Sequence, residues 1–388
     1  MTPRYGEEVV GGSEAVVREA AHGLAARGWS VEILTTTARD HYTWVNDYPP
    51  GAEAHGDVTV RRFETFQNRD LSHWIRLQHR LMDGGALSES DELAWVHGRF
   101  RVPDLYLYLA AHARTYDIVV FSPYLFWSTL YCAGLAPDRT VLMPCLHDEP
   151  YAYLRSVRAA LAGSAAVWFL SEPEHQLGHR LAPLPGHHQV VGAAVKVPEE
   201  YDAAGFRERH GIEGSFVLYA GRRETGKGWE QVLAGFGAAI LRHRLPFDLV
   251  SIGVGDPHVP TALSNRVIDL GYLAYGEVLN GFAAASAMVQ PSRNESFSRT
   301  IMEAWLAGTL VIANGESDVV SWHCERSGGG LTYHDELELG QCLRVAAESP
   351  KIAAELAGRG RDYVLGNYTW PLVLDSIEAS LEELVVPR

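Results

Sequence analysis

The alternation of short apolar runs with helix-like segments is the feature that most constrains the fold of this chain. The runs are rich in β-branched residues and suit strands that are buried on both faces of a sheet. They lie at 30–35, 117–121, 140–143, 166–170, 189–191, 216–220, 247–252, 267–270, 287–290 and 310–312. Because helix-like stretches separate them, the pattern predicts βαβ units and an α/β fold with parallel sheets covered by helices.

The alternation of apolar runs and helix-like segments is interrupted at 192–205, where alanine, proline and charged residues replace the apolar runs. The 388 residues are enough for two domains of ordinary size. We therefore predict two doubly wound Rossmann-like domains, 1–193 and 194–368, followed by a C-terminal helix at 369–388. Ligands of such folds bind beyond the carboxyl ends of the strands, so the expected site is a central cleft that both domains face.

The chain enters its first helix without a preceding strand. A doubly wound domain usually opens with a strand, so the first strand reads as missing. Gly11 and Gly12 stand where the opening loop meets the helix. Glycines there allow a ligand to approach the backbone, and the helix start adds partial positive charge. The alternative is a plain glycine turn with Ser13 as the N-cap.

Composition excludes several classes of function. The formal net charge is −15, whereas binding to nucleic acid needs a basic footprint. No run approaches the ~20 apolar residues that span a membrane, and no leader-like segment opens the chain. The four cysteines are scattered without paired spacing, which fits a reducing cytoplasm and argues against a zinc site.

Two glutamates mark the most informative segment of the second half. Glu295 precedes a predicted helix and Glu303 lies inside it. Each carboxylate can accept hydrogen bonds from hydroxyl groups, and the helix start between them offers free N–H groups to an anion. Two hydroxyl acceptors around an anion site match a sugar, a phosphate and a ribose, which together outline a nucleotide sugar.

The segment Gly221–Gly228 follows a predicted strand and nearly spells the nucleotide P-loop. Its last position is Gly228, so the hydroxyl that would bind magnesium is absent. In one alternative, the loop still binds phosphate, because the positive charges of Arg222 and Lys227 can clamp a diphosphate without a metal. A solvated basic turn is the other alternative.

Two further motifs follow strands. Gly253 and Gly255 resemble the start of a dinucleotide fingerprint, but the third glycine is absent, so we interpret them as a tight strand-to-loop turn. His147 lies at the carboxyl end of its strand, where it could bond a sugar hydroxyl or support developing charge. A structural hydrogen-bonding role for this histidine remains the alternative.

Taken together, these motifs resemble the family-4 retaining glycosyltransferases, which have the GT-B fold. The likeness covers nearly the whole chain. Its matching positions are Gly11-Gly12, His147-Asp148, Ser171-Glu172, Gly221-Arg222, Lys227-Gly228, Gly271-Tyr272-Leu273, Pro291-Ser292, Glu295 and Glu303. The ordered set carries the resemblance, because the spacing from Arg222 to Lys227 and that from Glu295 to Glu303 both match.

The resemblance implies roles for the donor half of the site. Arg222 and Lys227 would neutralise the diphosphate as it leaves. Further roles fall to the backbone N–H groups of Phe297, Ser298 and Arg299 on the phosphates, to Glu295 on the donor sugar, to Glu303 on the ribose, and to Leu273 on the base. The family usually has glycine at Ser298 and an apolar residue at Arg299, whose side chain would here touch phosphate or face solvent.

For the acceptor-side domain, 1–193, the resemblance implies that His147 contacts the sugar near the reacting centre. Gly12 would line the cleft under the phosphates or the acceptor. It also implies that the last helix, from Trp370 onward, crosses back to the first domain. Catalysis would then be electrostatic, with Arg222, Lys227, His147 and Glu295 as the catalytic set.

The implied function is a retaining hexosyl transfer. The donor would be a UDP- or GDP-linked sugar, and the acceptor a hydroxyl of a glycan, a glycolipid or a small molecule. No metal or other cofactor is required, and no nucleic acid is a partner. The expected location is the cytoplasm, with a peripheral position at the inner face of the membrane left open by family analogy. The alternatives are a catalytically inactive GT-B protein that binds nucleotide or glycan, and a P-loop NTPase.

Overall fold

The computed structural model describes residues 1–9 and 11–385, and its contacts divide the chain into two units. Unit 1 comprises Met1–Ala193 together with Trp370–Arg388, and unit 2 comprises Ala194–Thr369. Of the predicted C-terminal helix at 369–388, the last three residues lie outside the described residues. No helix in the described ranges is both long and apolar enough to span a membrane.

Unit 1 is built on short parallel strands with helices between them. Its strands are β1 (Glu32–Thr36), β2 (Gly51–His55), β3 (Val58–Phe63), β4 (Phe66–Gln67), β5 (Phe100–Arg101), β6 (Val119–Phe121), β7 (Thr140–Leu142), β8 (Ala166–Phe169) and β9 (His187–Val190). Its helices are α1 (Gly12–Ala26), α2 (Ser72–Met82), α3 (Glu89–Gly98), α4 (Pro103–His112), α5 (Trp127–Cys132), α6 (Arg155–Gly163) and α7 (Glu172–Leu181). The strand orders are β1-β3-β2 and β6-β7-β8-β9, with β2 antiparallel to β3 and the other pairs of these two sheets parallel.

The first three residues connect the two main sheets of unit 1. The Thr2 N–H donates to the Leu34 carbonyl of β1 at 3.1 Å. On the other side, the Ser122 N–H donates to the Met1 carbonyl at 3.0 Å, just after β6. No strand precedes α1 within the described residues, but this extended segment takes the place between β1 and β6 that a first strand would occupy.

Unit 2 is a doubly wound sheet. Its strands are β10 (Phe216–Ala220), β11 (Asp248–Ile252), β12 (Val267–Asp269), β13 (Ala287–Gln290), β14 (Leu310–Asn314) and β15 (Gly330–Tyr333). Its helices are α8 (Ala203–His210), α9 (Trp229–His243), α10 (Tyr275–Ala284), α11 (Arg299–Leu306), α12 (Asp318–Ser327), α13 (Glu336–Glu348) and α14 (Pro350–Asn367). The strands lie in the order β12-β11-β10-β13-β14-β15 and every pair is parallel. Strands β13 and β14 are buried along their whole length, which explains their continuous apolar sequence.

Helix α11 is anchored by one tryptophan. Trp305 is fully buried, and its indole N–H donates to the Gly329 carbonyl at 2.9 Å. A Cβ at Gly360 would lie 2.3 Å from the Trp305 ring, so glycine is needed there for α14 to pack against it. This anchor fixes the direction of α11 and therefore the position of Glu303, which lies on the same helix.

Helix α15 (Trp370–Leu384) packs within unit 1. The Trp370 indole donates to Glu19 of α1 at 2.8 Å, and the Trp168 indole of β8 donates to Ser380 at 2.8 Å. Gly23 of α1 lies against Leu374, where a Cβ would come within 2.6 Å of that side chain. The last helix is thus held by α1 and by the sheet of unit 1.

Candidate active site

The strand order of unit 2 reverses between β10 and β13, and two loops leave the sheet there. The chain runs outward from β10 to β11 and β12, and then returns to place β13 on the other side of β10. Ligands of open α/β sheets bind beyond the carboxyl ends of the strands at such a reversal. The two motifs found in the sequence, 221–228 after β10 and 291–298 after β13, therefore meet at one place.

Gly228 lets the two loops touch. Its φ is +72°, and a Cβ there would lie 2.8 Å from the Pro291 Cβ and 2.9 Å from the Pro291 carbonyl oxygen. Any other residue would bring both backbone strain and a steric clash. Because packing demands glycine at the position where a P-loop carries its serine or threonine, a P-loop NTPase does not fit this turn.

Lys227 and Glu295 form an ion pair across the contact between the loops. The Lys227 Nζ lies 2.9 Å from the Glu295 Oε1, and the side chains are 27% and 14% exposed. Lys227 ends a short 3₁₀ turn, Thr225–Lys227, and Glu295 lies in the loop before α11. An ammonium group has three donors, so Lys227 can bind Glu295 and phosphate oxygens at the same time.

Arg222 is held inside the same loop as Lys227. Its Nη2 lies 3.1 Å from the Glu224 Oε1, and both side chains are about one-third exposed. The Tyr219 hydroxyl of β10 donates to the Arg222 carbonyl at 2.6 Å and so fixes the loop backbone. Burial raises the pKa of that tyrosine well above its usual value, so Tyr219 stays a neutral donor.

Arg223, which the sequence did not single out, is the buried arginine of this loop. Its Nη2 lies 3.2 Å from the Asp269 Oδ1, and its Nε donates to the Gly255 carbonyl at 3.1 Å. Gly253 has a φ of +145°, and a Cβ there would lie 2.0 Å from the Gly221 carbonyl. Gly253 and Gly255 therefore form a tight turn against the basic loop, as the sequence predicts.

Ser298 opens helix α11 in an unusual conformation. Its φ of +68° lies in the left-handed region, where a glycine would meet no strain. The Ser298 Oγ accepts a hydrogen bond from the buried Gln290 Nε2 at 2.8 Å, which is worth about 1 kcal/mol and offsets part of that strain. The hydroxyl does not cap the helix, and the partial positive charge of the helix start suits an anion.

Phe297 packs its ring into the interior beneath the loop. It makes edge contacts with His323 at 5.3 Å and with Tyr368 at 5.0 Å between ring centroids. The Nδ1 of His323 lies 2.9 Å from the Tyr363 hydroxyl, and burial lowers the pKa of this histidine to about 3. The Phe297 side chain therefore anchors the loop, and the phosphate contact of its backbone N–H stays a prediction.

Glu303 is buried, and its carboxylate has a hydrogen-bond partner and a nearby arginine. Its Oε1 accepts a hydrogen bond from the Tyr275 hydroxyl at 2.9 Å and lies 3.6 Å from the Arg299 Nε. The Arg299 side chain is only 10% exposed, so the alternative in which it faces solvent is wrong. Tyr275 was missed by the sequence reading, although it begins α10 only two residues after Leu273.

Leu273 lies in the short link between β12 and α10 and is half-buried. Gly271, just before it, has a φ of +65°, and its carbonyl accepts from the Gly253 N–H at 2.7 Å. The backbone turn at Gly271 therefore leads into Leu273 and is hydrogen-bonded to the glycine turn at Gly253, which lies against the basic loop. Leu273 thus lies two residues before Tyr275, whose hydroxyl reaches Glu303 of α11.

In unit 1, His147 follows β7 and is oriented by an acid. Its Nδ1 lies 3.4 Å from the Glu149 Oε1, which also accepts from the Tyr124 hydroxyl at 2.7 Å. Burial, followed by the nearby Glu149 charge, raises the pKa of Tyr124 far above its usual value. Tyr124 is therefore a permanent donor that fixes Glu149, and Glu149 in turn faces the imidazole of His147.

Glu174 holds the chain that leads to His147. Its carboxylate is buried in α7 and accepts from the Leu146 N–H at 2.6 Å and from the Leu170 N–H at 2.6 Å. Burial raises its pKa to about 8, and the backbone N–H donors oppose that rise. The sequence did not indicate this residue, because a glutamate in the first turn of a helix is ordinarily exposed.

Gly11 and Gly12 behave differently at the start of α1. A Cβ at Gly11 would lie 2.1 Å from the Glu14 Oε2, whereas a Cβ at Gly12 would meet no atom of the described structure within 4 Å. Glu14 itself is buried in an ion pair with Arg4. Gly11 is thus required by internal packing, while the space above Gly12 is open, as a position that lines a ligand would be.

Comparison with known proteins gives a family match for the part of unit 2 that contains these loops. Residues 214–335 match the family model described as "Glycosyl transferases group 1". The D-inositol 3-phosphate glycosyltransferase of Frankia alni is 26% identical over 91% of this chain and 91% of its own length. The mannosylfructose-phosphate synthase of Agrobacterium fabrum is 25% identical, but the match covers 45% of this chain and only 42% of that protein.

Solved structures show the same fold at lower identity. HepE from Anabaena, solved in complex with UDP and glucose, superposes with a TM-score of 0.70 at 16% identity, covering 98% of both chains. Two doubly wound Rossmann-like units with this likeness define the GT-B fold, as the sequence predicts. The chain is a glycosyltransferase with the GT-B fold, and its residues 214–335 carry the group 1 match.

Proposed function

We propose that the chain is a retaining hexosyltransferase that uses a UDP-linked sugar and needs no metal for the transfer. The observation that carries the proposal is the Lys227–Glu295 ion pair at the β10–β13 reversal of unit 2. It joins a cation suited to a diphosphate with a carboxylate suited to sugar hydroxyls, within one hydrogen-bond length. A donor would then be held at both sides of the bond that breaks.

The chemistry assigned to this site is electrostatic. When the sugar–phosphate bond breaks, negative charge develops on the departing diphosphate, and preorganised cations and N–H groups lower the energy of that state. Lys227, Arg222 and the first-turn N–H groups of α11 supply these charges. In the proposed same-face displacement the diphosphate oxygen takes the proton of the acceptor hydroxyl, so no protein base is needed.

The nucleoside half of the donor is assigned to Glu303, Tyr275 and Leu273. Glu303 is held by the Tyr275 hydroxyl and lies near Arg299, which keeps a carboxylate oriented for ribose hydroxyls. Leu273 supplies an apolar contact for the base. UDP is preferred over GDP because HepE, which shares the fold, was solved with UDP.

The acceptor half is assigned to unit 1. His147, oriented by Glu149, would hydrogen-bond a sugar hydroxyl, and the open space at Gly12 would admit phosphate or acceptor atoms. The acceptor is proposed to be a hydroxyl of a glycan, a glycolipid or a small molecule. Polyol and sugar phosphates are the first compounds to try, because the names of both curated relatives contain them. The proposed location is cytoplasmic.

The proposal is tested by incubating the protein with UDP- and GDP-hexoses and an acceptor panel in the presence of EDTA. The panel contains inositol phosphates, hexose phosphates and glycolipids, and the readouts are nucleotide release and the anomeric configuration of the product by NMR. We expect UDP release and a product with the donor's configuration. An inverted product would refute the retaining mechanism, and transfer from GDP-hexoses alone would refute the donor assignment.

A further inference from the structure

Three histidines of unit 1, none of which is assigned to the transfer reaction, form a cluster. His175 and His179 lie on α7, four residues apart, and His188 lies on β9. Side chains four residues apart share one face of a helix. Strand β9 is the edge strand of its sheet and pairs only with β8 among the described residues, so the cluster joins a helix to the edge of the sheet.

The ring nitrogens of the cluster converge. The Nε2 of His175 lies 2.9 Å from the Nδ1 of His188 and 3.2 Å from the Nε2 of His179. One nitrogen from each ring lies within 4.8 Å of the other two. The rings are 4.7 Å to 5.0 Å apart between centroids, so each pair is in contact.

Hydrogen bonding among the three rings does not satisfy them. An imidazole nitrogen carries either one proton or one lone pair in the plane of the ring. The Nε2 of His175 therefore makes one good hydrogen bond and not two, although it has two nitrogen neighbours at bonding distance. A cation at the centre would instead take a lone pair from each ring.

The nitrogen separations also match a metal site. Nitrogens bound to one tetrahedral Zn²⁺ at about 2.0–2.1 Å lie roughly 3.3 Å apart, close to the two distances in this cluster. Imidazole ligands suit Zn²⁺ and its transition-metal neighbours, whereas Mg²⁺ and Ca²⁺ prefer oxygen. We propose that His175, His179 and His188 bind one divalent transition-metal ion, with Zn²⁺ as the cognate metal.

The surroundings of His175 support the assignment. Its Nδ1 is buried and has no hydrogen-bond partner among the described residues, and the Glu172 Oε2 lies 3.6 Å from it. Histidine ligands commonly direct their second ring nitrogen at a carboxylate, which fixes the tautomer and the ring orientation. With a metal on Nε2, the proton of His175 is placed on Nδ1, facing Glu172.

The fold brings the helix close enough for this site. Gly178 lies between the two helical histidines, and a Cβ there would come within 2.5 Å of Phe169 on β8. Glycine therefore lets α7 approach the sheet, and His188 on the neighbouring strand completes the set. The bound ion would tie α7 to the edge strand, and its predicted effect is on stability rather than on the transfer step.

The test measures Zn²⁺ binding to the full chain, free of any histidine tag and stripped of metal before titration. A chromophoric chelator competes for the ion, and Co²⁺ substitution reports four-coordinate geometry through its visible spectrum. We expect one Zn²⁺ per chain with a Kd of about 1 μM or below, since three preformed imidazole ligands are in place. Zn²⁺ should also raise the melting temperature, because the three histidines converge on one site only in the folded chain.

Three variants make the result specific. His179→Asn changes an exposed side chain and should fold, while the double variant His179→Asn/His188→Asn removes two ligands and should weaken binding by about 100-fold or more. His258→Asn is the matched control, since His258 is 81% exposed and lies outside the cluster. Equal melting temperatures without Zn²⁺ establish folding. Weak binding by the wild type, or binding unchanged in the double variant, would overturn the proposal.

Discussion

Replacing Lys227 by alanine separates a catalytic role from a structural one. In the structure its ammonium lies 2.9 Å from Glu295. At that distance, two unit charges attract by about 1.4 kcal/mol in water and by about 6 kcal/mol at an effective dielectric of 20. Desolvation and side-chain ordering offset most of this attraction for partly exposed pairs, which leaves a net of about 1 kcal/mol or less.

The expected loss in catalysis is much larger than this loss in stability. Removing one preorganised donor to a developing anion typically costs 10²–10³ in rate, or about 2.7–4 kcal/mol of transition-state stabilisation. Lys227→Ala should therefore lower the rate of UDP release by about 100-fold or more, while the free energy of unfolding falls by only about 1 kcal/mol. The assays are initial rates with a UDP-hexose and chemical denaturation of the same preparations.

A matched control and a double-mutant cycle complete the test. Lys351→Ala removes an exposed lysine from α14 of the same unit and should leave the rate unchanged. Glu295→Gln combined with Lys227→Ala should show strong coupling in rate, because both side chains act on the same donor. A rate of Lys227→Ala within a few-fold of wild type would refute the reasoning, as would a loss of rate matched by a comparable loss of folding.

The remaining predictions concern backbone geometry and pH. Gly11→Ala should destabilise unit 1 by about 1–3 kcal/mol through its clash with Glu14, whereas Gly12→Ala should keep the wild-type melting temperature and lower activity; equal melting temperatures for the two variants would contradict this contrast. Ser298→Gly should unfold at a higher denaturant concentration than Ser298→Ala, because only glycine relieves the positive φ, and the reverse order would show that the backbone is unstrained. His323 has its pKa lowered to about 3 by burial, so the unfolded chain takes up a proton below pH 6.5 that the folded chain does not. Stability should therefore fall as the pH drops from 6.5 toward 3, by about 1.4 kcal/mol at pH 5.5, and a His323→Phe variant that kept the full dependence would exclude this source.

Most strands of unit 2 could be predicted because a strand that is buried on both faces has a continuous run of apolar residues. The runs predicted at 216–220 and 287–290 coincide with β10 and β13, and the predicted run at 310–312 lies inside the longer β14. Strand β15 has two glycine neighbours before it and an exposed threonine, so it carries no apolar run and was missed. Edge strands are only partly covered, which removes the signal that the central strands carry.

The region from 38 to 110 was not decoded, and the structure shows why. Strand β2 is exposed along most of its length and pairs antiparallel with β3, so it has no apolar pattern. Strands β4 and β5 are only two residues long. Helix α3 mixes apolar and acidic residues without a dominant face, and its position depends on contacts far away in sequence, such as Glu92 with the N–H groups of Arg155 and Ser156.

The donor-site residues could be predicted from the sequence because glycines and charged residues cluster where predicted strands end. The Lys227–Glu295 contact was not readable, since it depends on the order of strands in the sheet and not on spacing along the chain. The same is true of Arg223 and Tyr275, whose partners Asp269 and Glu303 lie on other elements. The four-residue spacing of His175 and His179 is a sequence signal for the histidine cluster, but the third member, His188, lies on another element and joins it only through the fold.

The central claim is that the reversal point of unit 2 binds the donor diphosphate through Lys227 without a metal. Isothermal titration of UDP into the protein in EDTA tests this claim directly and needs no acceptor. The account predicts one site per chain, with affinity at least about tenfold weaker in Lys227→Ala and unchanged in Lys351→Ala, a difference of about 1.4 kcal/mol. Absence of UDP binding to the wild type in EDTA, or equal affinity in Lys227→Ala, would contradict it.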